Sequence, residues 1–301
     1  MVDKMSWELK GVITALITPL NKDSDLCEDC LKELISYQLT NGVNGLFIMG
    51  TYGEGLLLSQ KTRRKFLEKA IEYVPNKAVV LPHIASSDVE ASYELAKYAR
   101  DLGYEVVSSV GPVYYKSSKR GLVEYFNRIS KSDAKVVIYN NSGRQRYNIT
   151  PSMFEELTRE VPAIVGIKDT SYSVEQLLEY VMRFKGKYFV AGAGDNMLLY
   201  TFVIGADAHI CGLSNVFPKY VTELYRAVVN GDIEKAKEIQ NVINKLRNIT
   251  GKFSVESPEV LRELLKLKGI NAGYPLTYLG VLEPQEREEL RKLVEQYLTL
   301  T

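Results

Sequence analysis

The chain has 301 residues, 46% of them hydrophobic and 25% charged, a composition suited to a globular fold with a sizeable core. A formal net charge of +1 provides no global field toward nucleic acid or an anionic membrane, and the basic run QKTRRK (60–65) reads as the solvated face of an amphipathic helix. No apolar run reaches membrane-spanning length and MVDKMSWELK lacks the apolar stretch of a signal peptide, so cytoplasmic residence is expected.

In chain order, short apolar runs of β character alternate with helical periods. GVITALITPL (11–20) precedes a helix over roughly 27–41, and VNGLFIMG (43–50) precedes SQKTRRKFLEKAIEYV, capped by Ser59. AVVLPHIA (78–85) leads into a helix with Asp88 as cap and Gly103 as stop. YEVVSSVGPVYY (104–115) precedes RGLVEYFNRISKSD, and KVVIYNN (135–141) precedes a helix capped by Thr150 with Pro151 at its first position. AIVGIKDT (163–170), KYFVAGAG (187–194) and DAHICGLSN (207–215) complete the set, each followed by a helical period.

Eight βα units in succession predict an α/β fold, a closed (β/α)8 barrel, over residues 1–232. An open doubly wound sheet is the competing architecture, but no GxGxxG follows the first strand. Residues 233–301 read as helices only. They predict a C-terminal helical extension packed beside or beneath the barrel, with no Pro/Gly/Ser linker to make it independent.

Three cysteines argue against a disulfide scaffold, and Cys27 and Cys30 are expected to be two thiols at helical spacing. His83 and His209 lie far apart, with no His/Cys cluster of metal-ligand spacing, so metal catalysis is not expected.

Chemistry in such barrels gathers at the C-terminal strand ends. There the sequence places Thr51, Tyr52, Gly53 and Glu54 after strand two, Tyr114 and Tyr115 after strand four, Tyr139 and Arg144 after strand five, Lys168 and Thr170 after strand six, Asp195 after strand seven, and Ile210 opening the last strand end. No carboxylate pair suits glycoside hydrolysis, and no Ser-His-Asp order suits acyl transfer. A lysine ending an apolar strand has a specific use. Burial favours its neutral, nucleophilic form, which condenses with a ketone or aldehyde to an imine that acts as an electron sink. Tyr139, Thr51 and Tyr114 are the candidate proton carriers. The bland alternatives are a solvated lysine, or one paired with Asp169.

GTYGE (50–54), PVYY (112–115), YNNSGR (139–144) and GIKD (166–169), in that order along the barrel, resemble the dihydrodipicolinate synthase / N-acetylneuraminate lyase family over nearly the whole chain. The resemblance implies a pyruvate-dependent class I aldolase without cofactor. Lys168 matches the Schiff-base lysine, Tyr139 the proton-shuttling tyrosine, and Thr51 the first hydroxyl residue of the family's GTTGE loop, whose next backbone N–H holds the pyruvate carboxylate. Tyr52 and Gly53 fall in that loop. Tyr114 matches an aromatic that in many members enters the neighbouring subunit's site, so a homo-oligomer, a tetramer built as a dimer of dimers, is implied. Arg144 stands where synthases hold the carboxylate of aspartate semialdehyde. GIKDTS resembles 2-keto-3-deoxygluconate aldolases, in which Thr170 and a polar residue near Asp195 or Asn196 would touch sugar hydroxyls. Tyr52 departs from the family's threonine and enlarges that side of the loop. The expected reaction is aldol cleavage of a 2-keto-3-deoxy sugar acid to pyruvate and an aldehyde. A dihydrodipicolinate synthase, a dehydratase on the same scaffold, and a catalytically silent pyruvate binder are the alternatives.

Overall fold

Strands that read as continuous apolar runs belong inside, with amphipathic helices covering them. The computed structural model describes residues 9–75 and 79–298. Among these, eight strands form one parallel sheet: β1 (Gly11–Ala15), β2 (Gly45–Ile48), β3 (Val79–Pro82), β4 (Val106–Val110), β5 (Lys135–Asn140), β6 (Ile164–Asp169), β7 (Phe189–Ala193) and β8 (Ala208–Cys211). Their order is β3-β2-β1-β8-β7-β6-β5-β4. The helices are α1 (Glu28–Thr40), α2 (Gln60–Tyr73), α3 (Val89–Asp101), α4 (Lys119–Ser130), α5 (Ser142–Gln145), α6 (Pro151–Glu160), α7 (Val174–Phe184), α8 (Leu198–Val203), α9 (Pro218–Val229), α10 (Ile233–Thr250), α11 (Ser257–Leu267) and α12 (Pro284–Leu298). This is the (β/α)8 barrel with a C-terminal helical extension.

The capping residues sit where the sequence puts them. Ser59 accepts from the Thr62 N–H, Asp88 from Glu90 and Ala91, and Thr150 from Met153 ahead of Pro151. Gly103, at φ +100°, turns the chain out of α3.

The seam between β3 and β4 closes differently from the others. A single parallel bridge joins His83 to Ser108, and the His83 ring supplies the rest. The Val110 N–H donates to Nε2 at 3.2 Å, and Nδ1 lies 3.1 Å from the Met49 carbonyl, which can only accept. The ring is therefore the neutral Nδ1–H tautomer. Burial, helped by the charges of Arg63 and Lys168, pushes its pKa down to about 3 and holds it there.

Ile13, Phe47, Leu81, Val137, Tyr139 and Ile210 belong to the packed cluster that fills the barrel, and a second, larger cluster lies between the strands and the helices. The barrel is therefore a floor for a site rather than a channel.

The structure corrects three expectations. Strand β1 ends at Ala15, not at residue 20, and Leu20 instead bridges Leu26 and Tyr274. Cys27 and Cys30 are not two free thiols but a disulfide, because Cys27 at the N-cap of α1 and Cys30 on its first turn stand only 5.3 Å apart at Cα. The C-terminal extension does not lie only beside or beneath the barrel. α10 packs on α8 and α9, and its junction with α11 reaches over the C-terminal strand ends, where Arg247, Glu256 and Leu261 line the mouth.

Candidate active site

Lys168 is the fifth residue of β6, in register with Tyr139 on β5 and Ala191 on β7. It is only 4% exposed. Its ammonium lies 3.7 Å from the ring centroid of Tyr139 and 4.1 Å from that of Phe47, in cation–π contact with both. Burial lowers its pKa, with the Tyr139 phenol opposing that shift. Lys168 has no ion pair among the described residues. Asp169 gives it none, because its carboxylate accepts from Asn140 at 2.7 Å, Ser171 at 2.6 Å and Gln176 at 3.1 Å. Adjacent strand residues project to opposite faces, which sends the acid away from the amine.

The shift has a kinetic consequence. Only the neutral amine adds to a carbonyl, so the rate of imine formation is expected to rise with pH to a plateau whose midpoint lies below the ordinary lysine value of 10.5. Reductive trapping rates measured across pH check this. A midpoint at or above that value would mean that burial does not tune the amine.

Tyr139 links the amine to a short chain of hydrogen bonds. Its hydroxyl lies 3.1 Å from Thr51 Oγ1, and the Asn141 amide donates to the Tyr139 oxygen at 2.9 Å and to Thr51 Oγ1 at 3.4 Å. With Asn141 donating to the phenol oxygen, the phenol proton is free to point to Thr51. Burial pushes this phenol up, but the Lys168 charge and the Thr51 hydrogen bond outweigh it and bring it below the ordinary value. A buried phenol held ready to ionise beside an amine is an acid–base pair.

Thr51 stands in a tight turn closed by Glu54 N–H to the Thr51 carbonyl at 3.1 Å and by Gly55 N–H to the Gly50 carbonyl, also at 3.1 Å. Gly55 is obligatory there, since a Cβ would come 1.7 Å from the Met49 carbonyl oxygen. Tyr52 leaves this turn and lays its ring over Gly212, after β8. Burial, followed by the charge of Asp195, pushes the Tyr52 phenol well above its ordinary value, so it stays protonated. A Cβ on Gly212 would stand 2.2 Å from Tyr52 Cζ and 2.6 Å from its hydroxyl. Gly212→Ala is therefore expected to cost about 1–3 kcal/mol by overpacking, and to be relieved when combined with Tyr52→Thr. Thermal denaturation of the single and double variants measures this, and an undiminished Gly212→Ala would show that the ring does not rest there.

The pocket bounded by Tyr139, the ring that Lys168 contacts, has a volume of about 970 Å³ and gathers most of the sequence-predicted residues on its wall: Thr51, Tyr52, Tyr139, Arg144, Thr170 and Asp195. Thr170 Oγ1 is buried there and, among the described residues, makes no hydrogen bond of good geometry. Arg144, on α5, pairs with Glu256 at 2.9 Å across an exposed gap. Asp195 Oδ1 accepts from the Cys211 thiol at 2.9 Å and from the Gly212 and Leu213 N–H groups at 3.1 and 3.0 Å, so that oxygen anchors the loop after β8.

Four predicted residues lie off this wall, Lys168 among them, which meets the wall through the ring of Tyr139. Gly53 turns its carbonyl to the Thr18 hydroxyl at 2.5 Å, and Ile210 packs into the barrel interior. Tyr114 is 77% exposed at φ +74°, edge-on to Tyr115, outside this chain's own pocket. Sequence reading missed Asn141 as a hydrogen-bonding partner, Tyr172 two residues beyond Thr170, and the α10–α11 junction. Only Tyr172 carried a local signal, in its place on a strand-end loop.

Comparison with known proteins agrees with this geometry. The dihydrodipicolinate synthetase family model matches residues 8–297. A 4-hydroxy-tetrahydrodipicolinate synthase from Thermoanaerobacter sp. (strain X514) is 28% identical over 290 residues, 96% of each chain. Among solved structures, Clostridium difficile CdNal in complex with mannosamine superposes with a TM-score of 0.90 at 26% identity, covering 97% of this chain and 100% of that one. The dihydrodipicolinate synthase of Aquifex aeolicus does so with a TM-score of 0.88 at 26% identity, covering 96% and 98%. The chain belongs to the dihydrodipicolinate synthetase family.

Proposed function

We propose that this protein binds pyruvate as an imine on Lys168 and joins it to an aldehyde, aspartate semialdehyde in the 4-hydroxy-tetrahydrodipicolinate synthase reaction. The observation that carries the reading is the buried Lys168 amine, set against the faces of Tyr139 and Phe47 with Thr51 completing the relay. The neutral amine adds to the keto carbon, and water leaves as the imine forms. The protonated imine then draws electrons from the neighbouring methyl carbon, which gives up a proton and becomes the nucleophile toward the aldehyde. Tyr139 and Thr51 carry the protons, and attack of the semialdehyde's own amino group on the imine carbon closes the ring and returns the Lys168 amine. The N–H groups of the Thr51–Gly53 turn hold the pyruvate carboxylate.

The synthase reading rests on the curated relatives and on Arg144 in the wall, a guanidinium suited to a second carboxylate. Cleavage of a 2-keto-3-deoxy sugar acid is the second reading, favoured by the Thr170 hydroxyl in the wall and by the engagement of Arg144 with Glu256. Steady-state kinetics decide between them. The synthase reading expects kcat/KM for pyruvate with aspartate semialdehyde to exceed that for 2-keto-3-deoxygluconate cleavage by at least about tenfold. The opposite order overturns it.

We further propose a homotetramer in which Tyr114, exposed and away from its own pocket, completes a neighbour's site. A fully active monomer by light scattering would contradict this.

A further inference from the structure

The turn that carries Thr51, Tyr52 and Gly53 is braced from outside the barrel. Glu54 closes it, and the Glu54 carboxylate meets Arg262 of α11, with Nη1 to Oε1 at 3.2 Å and Nη2 to Oε2 at 2.5 Å. The same Nη2 donates to the Thr18 carbonyl at 2.9 Å, and the Thr18 hydroxyl donates to the Gly53 carbonyl at 2.5 Å. One guanidinium thus holds both ends of a ring of contacts around the turn. The two side chains are 0% and 4% exposed.

Stability alone is a poor reason for such a pair, because buried ion pairs are often replaceable by apolar packing without loss. This one is also incompletely satisfied. Among the described residues Arg262 Nε has no hydrogen-bond partner, nor does Oε2 of Glu259, one turn earlier on the same helix. What a planar guanidinium fork does supply is a fixed carboxylate orientation. Glu54 needs holding, because its backbone is left-handed at φ +54°. The brace is also continuous with the pocket, since Ser257, Pro258 and Leu261 of α11 lie in its wall.

We propose that Arg262 is a positioning residue for the pyruvate end of the site, acting through Glu54 on the turn that carries Thr51. This rests on the imine reading above and makes the C-terminal helical extension a working part of the reaction. Misplacement of a substrate-positioning group by about 1 Å can cost 100-fold in rate.

The test separates positioning from folding. Glu54→Leu combined with Arg262→Met removes both charges of the pair together, and the Glu259 carboxyl that stays buried beside them is one that burial already pushes toward its neutral form, so the melting temperature should stay close to the parent's. The expected result is a KM for pyruvate raised at least tenfold and slower imine trapping, with the KM for the aldehyde changed less than twofold. Arg262→Lys keeps the charge but loses the fork, and should show a rise of at least threefold in the pyruvate KM at unchanged melting temperature. It decides the matter if the double variant fails to fold. A folded variant with the parent's pyruvate KM and trapping rate overturns the positioning role alone. A parent enzyme that never traps pyruvate on Lys168 overturns the imine reading, and the positioning role with it.

Discussion

Lys168→Ala is expected to abolish turnover, by at least about 10,000-fold or on the order of 5 kcal/mol of barrier, and to leave no reductively trapped pyruvate adduct. The amine is the nucleophile the site offers at the end of β6, and among the described residues no other lysine shares the contact with Tyr139 and Phe47. The fold should survive, because the substitution removes a group whose charged form burial already disfavours. Circular dichroism and a melting curve check the fold, and a coupled assay with trapping checks the chemistry. Turnover at the parent rate would remove Lys168 from the mechanism.

Tyr139→Phe is expected to slow turnover about 100- to 10,000-fold, the range for loss of a positioned acid–base group. The ring and its contact with the amine persist, so the deficit belongs to the hydroxyl. Loss of that hydroxyl also leaves the Asn141 amide nitrogen and Thr51 Oγ1, among the described residues, with their 3.4 Å contact to each other alone, at a stability cost of about 1–3 kcal/mol. The phenol opposes the burial shift on Lys168, so its removal should move the amine's pKa further down and carry the acid limb of the trapping profile with it. An unchanged rate would reduce Tyr139 to packing.

Much of this was legible because barrel positions are periodic. A strand read as an apolar run announces its C-terminal end, and at those ends Lys168, Tyr139 and Thr51 differ in kind from their surroundings. Helix starts were legible because Ser59, Asp88 and Thr150 can satisfy N–H groups that no earlier turn reaches. What stayed hidden depends on the relative placement of distant segments. The role of His83 in closing the seam needs the register of β3 against β4. The Glu54–Arg262 pair joins residues 208 apart in sequence. Helical periodicity tells which face of α10 and α11 is apolar, but not that their junction comes to rest over the mouth. The CxxC spacing reads as two thiols on a helix, and the disulfide shows only once the start of α1 sets the distance between them.

The most direct measurement is borohydride reduction of the protein with pyruvate, followed by peptide mass mapping. The mechanism predicts a pyruvate-derived adduct on the peptide that contains Lys168, lost in Lys168→Ala and slowed in Tyr139→Phe. A folded protein that gives no adduct, or one on another lysine, would contradict it.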